Sequence, residues 1–304
     1  MNNALDTLEI ETNAPIRTSF AVGGRADKLA RPRTTEQLQA CCAAESELRV
    51  LGQGANLLVD DAGVAELVVS LDNKAWREVV IDESTGRVRA GAGADLPKLI
   101  HATVRAGLTG LEGLIGIPAT VGGAVVMNAG GSFGQIADSV ARVKAVTRSG
   151  DITDTPRSQI GYTYRRSGLF DRIVTEVEFA LVPGDPEIAR ERLKEAMAIK
   201  AKTQPLTAKT CGCVFRNPVL KSSIEGVGEA NERVSAGKLI DMADGKQLAH
   251  GACRVSERHA NFIETAPGAT ASDILHLIDA IKARVHDRFD VTLETEVVIW
   301  RRRP

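Results

Sequence analysis

The sequence predicts an α+β protein on three grounds. Short β-like runs, Leu67-Val68-Val69 and Glu78-Val79-Val80-Ile81, alternate with helical spacings over residues 35–44 and 95–106. Two turn signals, Ser84-Thr85-Gly86 before Arg87-Val88-Arg89 and Ser149-Gly150-Asp151 after Val143-Lys144-Ala145-Val146, each join two strands as a hairpin. Beyond Pro205 a second α+β unit follows, with an amphipathic helix at 272–289 and an alternating strand at 291–300.

The elements follow in order. Asp95 is the expected N-cap of a helix that ends near Gly107. Residues 113–137 carry no charge, but seven are glycine and others are Pro118, Asn128 and Gln135; so much polar backbone suits a buried loop rather than a bilayer span. Pro183-Gly184-Asp185-Pro186 breaks the pattern, and a charged helix at 187–202 follows with apolar residues at Ile188, Leu193, Ala196 and Ile199. A domain boundary along that helix divides the chain into 1–190 and 191–304. The polar stretch 221–232 reads as a mobile loop. In 272–289 the apolar stripe is Ile274, Leu275, Ile278, Ile281, Val285 and Phe289, with Ser272 as N-cap. Along 291–300 the two-residue period sets Glu294 and Glu296 on one face.

Composition narrows the function classes. The chain has 304 residues, and 38 Lys+Arg against 39 Asp+Glu leave a net charge of −1, so no global field holds nucleic acid or an anionic membrane. Any anionic ligand is held locally. The N-terminus carries Asp6, Glu9 and Glu11 where a secretory leader carries Lys or Arg, so a cytosolic address is expected. Five cysteines, with Cys41-Cys42 vicinal and Cys211-x-Cys213 close, make no disulfide framework and are expected to be reduced.

Several segments can carry chemistry. Gly52-Gln53-Gly54-Ala55-Asn56-Leu57 lies between two apolar runs, and its small residues let successive N–H groups converge on a phosphate; a tight turn without ligand explains it equally well. The run from Leu114 to Gly130, which includes Gly116, Pro118, Thr120, Gly122, Gly123 and Ala124, is apolar yet poor in bulk, so its backbone can approach a large flat body such as an aromatic cofactor, or pack closely under a sheet. Gly91-Ala92-Gly93-Ala94-Asp95 is discarded as a site, because Asp95 is better used as a cap. Tyr164-Arg165-Arg166 offers guanidinium groups to a carboxylate, or is a solvated edge strand. Cys211-Gly212-Cys213 invites a zinc reading that the absence of a second tight pair argues against, so no metal is expected. His259 and Asn261 sit in a polar cluster entering an apolar strand, where a lone His is commonly structural.

Taken together and in order, RTSFAVGGRAD, LGQGANLLVDD, GIPATVGGAVVMNAG, YTYRRS, CGCVFRNP, AGKLID, VSERHANFI and LETEV resemble the UDP-N-acetylenolpyruvoylglucosamine reductase family over residues 17–299, in its shorter subtype. The resemblance implies an FAD-binding domain of the vanillyl-alcohol-oxidase type in two α+β subdomains, followed by a substrate-binding domain. It implies that Gly52, Gln53, Gly54, Ala55, Asn56 and Leu57 cradle the FAD pyrophosphate, and that Gly116, Pro118, Thr120, Gly122, Gly123, Ala124 and Ile173 lie along the cofactor. Arg165, Cys213 and Glu296 match the catalytic groups, and Tyr164, Asn217, His259 and Asn261 the substrate-binding ones. The implied activity is NADPH-dependent reduction of an enolpyruvyl UDP-sugar in peptidoglycan synthesis; the alternatives are a sugar or alcohol oxidase of the same fold, or a flavin-binding protein without turnover. The implied partners are small molecules only.

This chain departs from the family at three points: Cys213 stands where the proton donor is usually serine, Thr295 replaces a proline, and 221–232 looks like an insertion. The chemistry tolerates the first. Hydride addition to an enol-ether acrylate leaves an enolate, which needs a cation or acid at its carboxylate and a proton source at the new centre. Arg165 and Glu296 suit the first need, and a thiol with a reference pKa near 8.5 suits the second.

Overall fold

The computed structural model describes residues 8–303, so Asp6 lies outside the described residues. The chain forms two compact units. Of the described residues, unit one holds 8–14, Ala26–Gln53 and Ala65–Lys200, and unit two holds Pro15–Arg25, Gly54–Val64 and 201–303. The pieces 15–25 and 54–64, although early in the chain, thus belong to the same unit as its C-terminal part.

Unit one contains two main sheets. A four-stranded sheet runs in the order Ile10–Pro15, Arg25–Ala30, Val64–Ser70, Arg49–Leu51. A five-stranded antiparallel sheet runs Ile152–Pro156, Val140–Thr147, Arg172–Ala180, Arg87–Gly91, Val79–Asp82. Both expected hairpins are present in it. The Asp82 carboxylate accepts from the Ser84 hydroxyl at 2.6 Å and from the N–H groups of Ser84 and Thr85, and these bonds, the Ser84 hydroxyl foremost and the Thr85 side chain next, hold its pKa at about 2, below the ordinary carboxylate range.

Helix α1 (Thr35–Ala44) starts where the Thr34 side chain accepts from Gln37 N–H, and its spacing buries Leu38, Cys41 and Cys42. Helix α2 (Leu96–Arg105) is capped by Asp95 as expected and buries Leu96, Leu99, Ile100, Thr103 and Val104. The 113–137 segment is not a loop. It contains helix α3 (Val121–Val126) and two short strands, Gly130–Gly131 and Gly134–Gln135. Two glycines argue against a helix there; the Thr120 hydroxyl, which accepts from Gly123 N–H, and the bonds of Val121 and Gly122 N–H to Ala94 and Ala92 O offset that propensity together.

Helix α4 (Pro186–Thr203) forms, but its buried face is Ala189, Ala196 and Lys200, whereas Ile188 and Ile199 are exposed. The spacing 189, 193, 196, 200 gives one stripe, to which Lys200 contributes its aliphatic stem while its ammonium donates to the Ile115 carbonyl. Burial pushes the Lys200 pKa down.

Unit two is built on helix α5 (Ala236–Met242), helix α6 (Ala271–Phe289), a three-stranded antiparallel sheet of Ala249–His250, Cys253–Val255 and Ile263–Thr265, and a parallel pair of Leu57–Val59 with Val298–Trp300. Helix α6 begins one residue earlier than expected, with Thr270 rather than Ser272 as N-cap. Thr270 and Asp273 form a capping box, and Asp61 accepts from the N–H groups of Ala271 and Ser272. The expectation of a strand over 291–300 is corrected. The last strand is only Val298–Trp300; within 291–297 pairing is confined to an isolated antiparallel bridge between Thr295 and Phe215. The 221–232 stretch is a hydrogen-bonded excursion, with Leu220 N–H donating to Glu232 O at 2.9 Å, Ile224 bridged to Gly228, and Ser223 Oγ on Glu229 at 2.6 Å. No helix among the described residues is long and apolar enough to cross a membrane.

Candidate functional site

In unit one the turn before α2 and the start of α3 are stitched together. Leu96 N–H donates to Ala119 O, Val121 N–H to Ala94 O and Gly122 N–H to Ala92 O, each at 2.9 Å. A Cβ on Gly122 would stand 2.8 Å from the Ala92 Cβ, so this approach requires glycine. A Cβ on Gly52 would stand 2.9 Å from Thr120 Oγ1, and Gln53 Nε2 donates to Asp95 Oδ2 at 2.9 Å. Gly52, Gln53, Thr120, Gly122 and Gly123 therefore gather around one turn of unit one, and the discarded Asp95 joins them as both cap and partner.

The remaining expected cofactor residues are placed variously. Pro118 is exposed, Gly116 lies against the Lys200 stem with φ of 81°, and Ala124 and Ile173 are buried in the unit-one core, leaving only their backbone for any ligand. Each unit by itself offers backbone suited to an FAD-sized ligand. In unit one Gly123 is exposed, with only Thr120 Oγ1 near where its Cβ would be, and the Gln53 N–H donates to no group among the described residues; in unit two the same is true of the N–H groups of Gly54, Ala55 and Asn56. Leu57 begins a buried strand in unit two, and Asn56 Nδ2 donates to the Glu296 carbonyl there at 3.0 Å.

Tyr164 and Arg165 sit at the tip of a tight turn rather than on an edge strand, with Thr163 and Arg166 exchanging backbone bonds at 2.8 and 3.1 Å. Arg165 has φ of 58°, its Nη2 donates to Gly130 O at 2.8 Å, and its guanidinium lies 5.0 Å from the Tyr164 ring centre. A residue given no role from the sequence supports this turn. Asn128, only 1% exposed, donates through Nδ2 to Thr163 O and Gln135 Oε1, both at 2.9 Å.

Unit two places Cys213 and Glu296 on one scaffold. Glu296 N–H donates to Val214 O at 2.7 Å, Arg216 N–H donates to Glu294 O at 2.9 Å, and Phe215 bridges Thr295. Cys213 and Glu296 are both half-buried, whereas the Glu294 side chain is 72% exposed with Arg216 Nη1 3.6 Å away. Cys211 differs from its neighbour in the pair. Its thiol donates to Leu57 O at 3.4 Å, and burial pushes its pKa up to about 11. No cluster that could hold a metal exists among the described residues.

Asn217 Oδ1 accepts from Ala236 N–H at 3.0 Å at the start of α5. His259 accepts through Nδ1 from Asn261 N–H at 3.2 Å, which assigns the proton of its neutral ring to Nε2, and burial lowers its pKa. Asn261 is buried, with both ends of its amide on the Phe215 backbone at 2.9 and 2.8 Å.

Comparison with known proteins covers nearly the whole chain. Residues 26–156 match an FAD binding domain, and residues 204–300 match the C-terminal domain of UDP-N-acetylenolpyruvoylglucosamine reductase. A reductase of that name from Moorella thermoacetica is 38% identical over 96% of this chain and 94% of its own, and one from Nostoc punctiforme is 40% identical over 92% and 82%. The crystal structure of the UDP-N-acetylenolpyruvylglucosamine reductase from Thermus caldophilus aligns at 37% identity over 96% of this chain and 98% of its own, with a TM-score of 0.79. The chain belongs to the UDP-N-acetylenolpyruvoylglucosamine reductase family.

Proposed function

We propose that the protein reduces the enolpyruvyl group of UDP-N-acetylglucosamine enolpyruvate to the lactyl ether of UDP-N-acetylmuramate, an NADPH-dependent step of peptidoglycan synthesis carried out in the cytoplasm, where NADPH and nucleotide sugars are kept. The observation that carries this reading is the family membership joined to Cys213 and Glu296 on the one Val214 scaffold. Bound FAD, once reduced by NADPH, supplies the hydride.

The protein's own groups do the rest. The glycine-rich backbone from Gly52 to Leu57 receives the pyrophosphate through N–H donors, and the backbone from Gly116 to Gly123 lies along the cofactor. When hydride has added to the substrate β-carbon, the electron pair moves onto the carboxylate as an enolate. Arg165 balances that charge with a guanidinium, and Glu296, if protonated, donates a hydrogen bond to it. Cys213 then transfers its proton to the adjacent carbon, and solvent returns a proton to the thiolate. Tyr164, Asn217 and the Nε2–H of His259 are assigned to the sugar nucleotide.

A proton-donating thiol suits a reductase and has no task in the oxidase alternative, which must remove a proton instead. The test is direct. NADPH consumption must depend on the enolpyruvyl sugar nucleotide, with a product two hydrogens heavier by mass spectrometry. Consumption that yields peroxide and leaves the sugar nucleotide unchanged would reject the reading.

A further inference from the structure

Asn261 has the chemistry of a ligand-binding amide and the setting of a structural one. It is 3% exposed, its Oδ1 accepts from Phe215 N–H at 2.9 Å, and its Nδ2 donates to Phe215 O at 2.8 Å. Its own carbonyl accepts from Val214 N–H at 2.8 Å. The amide pairs with both backbone groups of Phe215 as a neighbouring strand would. On the opposite edge of the same segment, Val214 O and Arg216 N–H bond to Glu296 and Glu294. The short stretch that carries Cys213 is thus held from both sides, and Asn261 is the side-chain half of that clamp. The clamp itself is fixed: Ser256, fully buried, donates its N–H to Phe262 O at 2.8 Å and closes the 256–262 loop, within which Phe262 N–H donates to His259 O at 2.9 Å.

We propose that Asn261 is a positioning residue for proton delivery, setting the Cys213 thiol through the Val214 and Phe215 backbone, and that it does not bind the sugar nucleotide. This replaces its expected substrate role, because the amide a ligand would need already serves Phe215 in the interior. It rests on the reading of Cys213 as the proton donor.

The test compares Asn261→Asp, which keeps the acceptor for Phe215 N–H and loses the donor to Phe215 O, with Asn261→Ala, which loses both. FAD content, reduction by NADPH, and reoxidation by UDP-N-acetylglucosamine enolpyruvate are measured anaerobically on the holoenzyme, together with the solvent deuterium isotope effect on reoxidation and the alkylation rate of Cys213. The expected result is a limiting reoxidation rate about 10- to 100-fold lower, because misplacing a reacting group by ~1 Å costs about that much. The isotope effect rises, the alkylation rate shifts, substrate Kd stays within about two-fold, and reduction by NADPH is unchanged. The aspartate variant falls between the parent and the alanine variant. A raised Kd with an intact limiting rate would make Asn261 a substrate ligand and overturn the proposal. So would equal loss in both half-reactions, loss of FAD, failure of both variants to fold, or no change at all. Cys213→Ala is run in parallel: reoxidation of that variant at the parental rate rejects the donor assignment, whereas a slow Cys213→Ala beside normal Asn261 variants rejects only the positioning role.

Discussion

The backbone N–H of Glu296 donates to the carbonyl of Val214 at 2.7 Å, and Val297 N–H reaches the same oxygen at 3.3 Å. This shared acceptor fixes Glu296 beside the segment that begins at Cys213, while Glu294 faces solvent near Arg216. The consequence is an asymmetry between two carboxylates two residues apart. Glu296→Gln is expected to slow flavin reoxidation by substrate about 100-fold, the usual cost of removing one group that stabilises a developing oxyanion. Glu294→Gln is expected to change it by less than about two-fold, as for an exposed ion pair. Single-turnover reoxidation of the two variants is the measurement, and a larger loss at Glu294 would exchange their roles.

Peroxide is expected to inactivate the enzyme through Cys213 rather than through a Cys211–Cys213 disulfide. The Cys211 thiol donates to Leu57 O, and its pKa of about 11 leaves little thiolate to resolve a sulfenic acid. Mass spectrometry of the peptide after peroxide should find added oxygen on Cys213 and Cys211 unchanged, with Cys213→Ser resistant and bound substrate protective. A disulfide as the main product would contradict this.

Acid is expected to loosen unit two through His259. Burial lowers its pKa below 6.5, and Nδ1 can accept from Asn261 N–H only while unprotonated. The unfolded chain therefore takes up the proton more readily, so this contribution is complete above pH 6.5 and is lost as pH falls below it. Melting temperature measured from pH 8 to 5 should fall less steeply in His259→Asn than in the parent; parallel slopes would remove His259 as the cause.

Thr270→Ala is expected to cost about 1 kcal/mol of stability, the ordinary value of an N-cap, whereas Ser272→Ala should change it by less than about 0.5 kcal/mol. Urea unfolding separates the two, because the capping box joins Thr270 to Asp273. An equal loss in both variants would contradict the cap assignment.

What was legible in the sequence was what is decided locally. The helical spacings over 35–44 and 95–106, with the Asp95 cap, give α1 and α2, and the turn chemistry at Ser84 and Ser149 gives two hairpins. Helix α3 was hidden because two glycines speak against it, and its bonds to Ala92 and Ala94 come from residues distant in the chain. The last strand was overextended because the apolar alternation continues through 291–297, where the backbone leaves its ladder to bond Val214. Asn128 and Asn261 were the hardest to read. Their amides serve backbone groups 35 and 46 residues away, and an Asn in a motif looks the same whether it meets a ligand or a carbonyl.

The central claim, proton delivery by Cys213 to a substrate that has received hydride, is tested most directly by following the flavin spectrum anaerobically in the parent, Cys213→Ala and Cys213→Ser. NADPH should bleach all three at similar rates. Addition of UDP-N-acetylglucosamine enolpyruvate should restore the oxidised spectrum quickly in the parent and in Cys213→Ser, and about 10²- to 10⁴-fold more slowly in Cys213→Ala, the usual range for loss of a general acid. Recovery of Cys213→Ala at the parental rate would contradict the account.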